Sequence, residues 1–88
     1  MHDSQLPDPR PGYYYVSVVD GGRSARLRGP FVDDHAAALA AVDAARRDLC
    51  LVNPWAAFMA FGTCRSEVDA GPGFLDDEDA RRVVEASP

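Results

Sequence analysis

Asp20-Gly21-Gly22-Arg23 follows a run, residues 13–19, that is rich in aromatic and β-branched residues, and it constrains the fold more than any other four residues of the chain. Glycine accepts the positive φ that two-residue hairpin loops demand, so residues 13–19 and the residues after Arg23 are predicted to fold back on one another. With Gly21 and Gly22 as the loop, Val18 faces Ala25, Ser17 faces Arg26, Val16 faces Leu27 and Tyr15 faces Arg28. Tyr14, Val16, Val18, Ala25 and Leu27 then share one face, and Tyr13, Tyr15, Ser17, Arg26 and Arg28 share the other. Gly29-Pro30 is expected to end the second strand, since proline cannot donate to a ladder.

Beyond it, Asp33 or Asp34 is placed to cap one long helix running to about Val52, where Asn53-Pro54 stops it. Leu39, Val42, Leu49 and Val52, with Ala38 and Ala45, form its apolar stripe, and Asp43 and Arg47 form an exposed i,i+4 pair. Ala36, Ala37, Ala40 and Ala44 leave a smooth face that suits either plain helix propensity or the close approach of another helix. Residues 55–64 read as a third strand, apolar on both faces. A right-handed crossover sets that strand beside the first. The expected fold is α+β, with β-β-α-β topology, a three-stranded antiparallel sheet in order 2-1-3 and one long helix on one face.

Organisation along the chain comes from its breakers. Pro7, Pro9 and Pro11 make residues 1–11 a flexible lead-in, residues 12–66 the ββαβ domain, and residues 67–88 an acidic tail. Within that tail, Asp76-Asp77-Glu78-Asp79 followed by Ala80-Arg81-Arg82-Val83-Val84 has the composition of a short acid-capped helix. A core built from so few residues supplies only about 3–5 kcal/mol, which makes association with a partner or a second copy an expectation.

Formal net charge is −5, and all nine basic residues are arginine. Such a balance disfavours generic phosphate binding. No apolar run approaches a membrane span or a signal-peptide core, and two cysteines make no disulfide framework, so a soluble cytosolic protein with reduced Cys50 and Cys64 is the expectation. Catalytic, metal and cofactor sites are all read as none. His2 lies in the lead-in, His35 is placed in the first helical turn in a capping or surface role, and neither is paired with a nucleophile.

Two constellations remain for binding. Tyr13, Tyr15, Arg26, Arg28 and Phe58 converge on the sheet face away from the helix, where rings and guanidinium groups anchor protein partners, stack nucleobases or simply shield the sheet. Asp33 and Asp34 before the helix, with Asp76, Asp77, Glu78 and Asp79 near the end, form acidic clusters. Those clusters suit either a basic channel on a partner or ordinary helix capping.

The pattern Gly12-Tyr13-Tyr14-Tyr15-Val16-Ser17-Val18-Val19-Asp20-Gly21-Gly22, then Gly29-Pro30-Phe31, an alanine-rich helix, Asn53-Pro54-Trp55 and Ala60-Phe61-Gly62-Thr63-Cys64-Arg65, resembles small accessory proteins of phages and integrative elements of proteobacteria. That resemblance covers residues 12–75, and it implies non-catalytic inhibitors such as anti-CRISPR proteins, which bind a CRISPR effector complex and block DNA recognition or nuclease recruitment. Gly-Pro-Phe leading into an alanine-rich helix is also similar to one half of a SPOR peptidoglycan-binding domain, without the second half. The reading carried forward is a protein-binding inhibitor whose partner is an effector subunit. A single-stranded nucleic-acid regulator and a structural homodimer stand as alternatives.

Overall fold

The computed structural model of the chain describes residues 6–77. Strands β1 (Tyr13–Asp20) and β2 (Arg23–Val32) are followed by helices α1 (His35–Ala40) and α2 (Val42–Val52). A 3₁₀ turn (Pro54–Phe58), strand β3 (Ala60–Ser66) and a last 3₁₀ turn (Phe74–Asp76) complete the described chain. The sheet is antiparallel, in the order β2-β1-β3. Gly21 takes φ 63° at the first loop position, and Asp20 pairs with Arg23 across the turn, so the hairpin closes where the glycines place it.

Farther from the turn the pairing departs from the simple register. Ser17 does face Arg26 and Val18 does face Ala25, but Val16 faces Arg28 in place of Leu27, and Tyr14 faces Phe31. Two irregularities in β2 absorb the extra residues, each bending the strand and re-aiming the side chains beyond it. Tyr15 and Arg28 are therefore not opposite one another. β2 also runs through Gly29-Pro30 to Val32, because an edge strand at a bulge tolerates proline.

The expected long helix is interrupted at Ala41, whose N–H is shared between the carbonyls of Ala37 and Ala38. No glycine or proline marks this point. The partners change there: α1 lies against all three strands, whereas α2 packs on β3 and both 3₁₀ turns. The third strand begins at Ala60 and not at Trp55. Asn53 accepts a hydrogen bond from the Trp55 N–H through its side chain, and Pro54 starts the intervening 3₁₀ turn.

The core joins Val16 and Val18 of β1, Leu27 of β2, Ala45 and Leu49 of α2, Ala56, and Leu75. Leu75 belongs to the segment expected as a tail, which up to residue 77 instead wraps the domain. The Ala70 N–H donates to the Tyr15 hydroxyl at 3.1 Å, and that hydroxyl donates to the Gly71 carbonyl at 2.9 Å. The Gly73 N–H then reaches the Gly29 carbonyl, and Asp76 accepts from the Gly29 N–H. At the other end, Asp8 donates its N–H to His35, and the Pro11 carbonyl accepts from the Arg65 guanidinium. The anticipated helix after Asp79 lies outside the described residues.

Candidate protein-interaction surface

β1 supplies the residues from which both sheet faces are built. Tyr14, on the helix side, stacks on the His35 ring with centroids 4.8 Å apart, and its hydroxyl donates to the Arg10 carbonyl. His35 is buried, contrary to the expected capping or surface role. Its Nδ1 accepts the Asp8 N–H at 2.6 Å, which assigns the ring proton to Nε2, and Nε2–H donates to the Thr63 hydroxyl at 2.8 Å. Both ring nitrogens are thereby engaged, so this histidine joins the N-terminal segment, α1 and β3.

The opposite sheet face was expected to be open and aromatic. Tyr15 is instead fully buried there, because residues 70 and 71 close over its hydroxyl. Arg26 stays exposed with its guanidinium 5.5 Å from the Tyr15 centroid, so the ring serves as a cation–π floor. Tyr13 is half-exposed at the start of β1. Beside the covered portion runs a groove of about 350 Å³ lined by Ser17, Val19, Ser24, Arg26 and Cys64.

Arg28 is turned by the bulge toward the helix side. There it donates to Asp48 of α2 at 2.7 Å and to Asp76 at 2.6 Å, with a further bond to the Leu75 carbonyl. The Asp76 hydrogen bond chiefly raises the Arg28 pKa above its usual value; burial opposes the rise and Asp48 adds to it. An arginine neutralised by two carboxylates has little left to offer a phosphate or an acidic partner.

Several of the acidic candidates also hold structural positions. Asp33 sits at φ 54°, accepts the Gly12 N–H and donates its own N–H to the Gly12 carbonyl, latching the start of β1 to the end of β2. Asp34 caps α1 by accepting the Ala37 N–H. Asp76 joins Arg28 to the Gly29 backbone. Asp77 comes next in the chain, and Glu78 and Asp79 lie outside the described residues. Asp33, Asp34 and Asp76 are thus spread over separate anchoring points and do not form one acidic face.

Phe58, at 82% exposure, lies at the end of the 3₁₀ turn and not on the sheet. Its ring lies tilted against Trp55, 5.8 Å away, and Trp55 is itself 73% exposed. Three-residue spacing in a 3₁₀ turn brings both rings to the same side. Leu51, in the last turn of α2, is 82% exposed. Sequence reasoning missed Trp55 and Leu51 as surface residues. Asn53-Pro54 is the available signal, since an Asn cap before proline favours a turn over a strand passing through Trp55.

Among the described residues no cluster of three or more metal-ligating side chains occurs, and no helix is long and apolar enough to cross a membrane. The geometry defines a small α+β domain carrying an exposed aromatic pair on a 3₁₀ turn. No family model matches the chain, and neither a curated protein nor a solved structure matches it.

Proposed function

We propose that this chain is a non-catalytic protein-binding inhibitor from a mobile genetic element, acting in the cytoplasm of a bacterial host, and most specifically an anti-CRISPR protein that engages a CRISPR effector complex. The observation that carries the binding role is the Trp55–Phe58 ring pair. Two large aromatic side chains left in water and in contact with each other are what binding hot spots are made of, and isolated apolar exposure is common whereas a paired set is not. Identification of the target as an effector complex rests on the sequence resemblance together with the acidic charge. A net charge of −5 steers a small domain toward the basic channels that hold nucleic acid.

This placement moves the partner surface away from the Tyr15–Arg28 face. Tyr15 is buried and Arg28 is paired, which leaves Arg26 and Tyr13 as a thin basis for stacking single-stranded bases.

The test is phage plating on a host whose CRISPR system targets the phage. Expression of the chain is expected to restore plaque formation, and the Trp55→Ala, Phe58→Ala double variant to lose that effect while accumulating to the same level. Full CRISPR immunity in the presence of well-expressed wild-type protein would refute the anti-CRISPR reading.

A further inference from the structure

The two edges of the sheet are treated differently. On β2, irregular pairing, Pro30, the Gly73–Gly29 hydrogen bond and the Asp76 carboxylate on the Gly29 N–H all interrupt or occupy the outer row. Each is a recognised way of blocking a strand edge. On β3, the seven pairs from Tyr13–Ser66 to Val19–Ala60 run in unbroken succession without a bulge. Among the described residues, the outward N–H and C=O groups of Ala60–Ser66 have no backbone hydrogen-bond partner, and this strand contains no proline or lysine. A regularly paired edge of seven residues, whose one charged side chain, Arg65, is held by the Pro11 carbonyl, is a template for one more strand.

Charge placement selects the strand that fits. Arg46 of α2 holds its guanidinium 5.8 Å from the Phe61 ring, so the beginning of β3 carries a fixed positive charge. Glu67, just past the end of β3, has its side chain 84% exposed and makes a 3.3 Å ion pair at the surface with Arg65 of its own chain, a pairing in water that is weak enough to be shared with a second arginine. Phe61 lies three residues before Cys64 and Glu67 three residues after it. A second copy brought antiparallel about a two-fold axis through Cys64 therefore sets each Glu67 against the other copy's Phe61 and Arg46. Opposed pairs in that register are Thr63 with Arg65, Gly62 with Ser66 and Cys64 with itself, and Gly62 has open space where a side chain would stand.

We propose that β3 pairs with β3 of a second copy in this register, joining two three-stranded sheets into one of six strands. The interface is isologous, so each favourable charge contact occurs twice. It involves neither Trp55 nor Phe58 as a required contact, and it stands whether or not the chain inhibits a CRISPR system.

Sedimentation equilibrium of the full chain, with no other protein present, reads the mass directly. The expected species is twice the 9.5 kDa chain at tens of micromolar. Glu67→Arg and Arg46→Glu are each expected to weaken dimerisation about tenfold, because every reversal acts at two symmetric sites, and the double reversal to regain wild-type assembly. Treatment with diamide, which takes two hydrogen atoms from a pair of thiols to leave a disulfide, is expected to cross-link the Cys50→Ser variant but not Cys64→Ser. A chain that stays monomeric at several hundred micromolar overturns the proposal. So does a dimer that is indifferent to both single reversals, or one whose cross-link runs through Cys50.

Discussion

Asp8 and Arg10 form a two-residue clip on the surface of the N-terminal segment, and the clip makes a test of local geometry that needs no partner. The side-chain hydrogen bond from Arg10 is the main cause, with the Arg10 backbone N–H second, that lowers the Asp8 pKa from 3.8 to about 2. A carboxyl group depressed on folding contributes stability that is complete above its unfolded value and is lost as the pH falls through the folded one. The window is therefore roughly pH 4 down to pH 2. Carbon-detected NMR is expected to find the Asp8 carboxyl titrating near pH 2 in the wild type and higher, part of the way back to 3.8, in Arg10→Ala, which keeps the backbone N–H donor. The same midpoint in both proteins would show that the clip does not form. Asp8 also lends its backbone N–H to His35, so loosening the clip is expected to shift the His35 and Tyr14 ring resonances.

At the scale of elements, residues 67–77 make the least expected contribution. Adding a Cβ at Gly73 would drive it into the backbone of Leu27 and Arg28, where no side chain is available to yield. Gly73→Ala is expected to lift this segment, withdraw Leu75 from the core and cost about 2–4 kcal/mol, combining overpacking with lost burial. Gly62→Ala, which meets nothing, is expected to stay within about 0.5 kcal/mol of wild type. Near-UV circular dichroism of the buried Tyr14 and Tyr15 during urea unfolding reads both, whereas the exposed Trp55 makes fluorescence a poor probe. Equal midpoints for the two variants would contradict the packing of this segment. The hairpin, strand order and helix cap were legible from Gly21-Gly22, the crossover rule and the Asp33-Asp34 pair, of which Asp34 is the cap, because these are local or topological constraints. Gly71-Pro72-Gly73 reads only as a break, since nothing local shows that a glycine is needed for close approach to a strand distant in sequence. The same limit hid the burial of Tyr15 and the rotation of Arg28, which depend on where the bulges in β2 fall. The start of β3 was misplaced for another reason: a short run apolar on both faces fits a strand and a helical turn equally well.

For the molecule as a whole, the exposed aromatic pair and the thin core set opposing demands. A domain of this size has about 3–5 kcal/mol to spare, so apolar side chains left outside represent burial that the isolated chain does not gain. Trp55 touches Phe58 but stays mostly in water, and removing both rings takes little from the folded state. Trp55→Ala with Phe58→Ala is therefore expected to leave the urea midpoint within about 0.5 kcal/mol of wild type, the range of ordinary surface substitutions. It should also raise the concentration at which the protein begins to precipitate, because the largest exposed rings are gone. Loss of more than about 2 kcal/mol would mean that the rings belong to the core of the free domain, and the binding role assigned to them would then lose its footing. Unchanged stability with abolished plaque restoration separates a surface kept for a partner from one kept for folding, and the opposite pattern assigns the two rings to the fold.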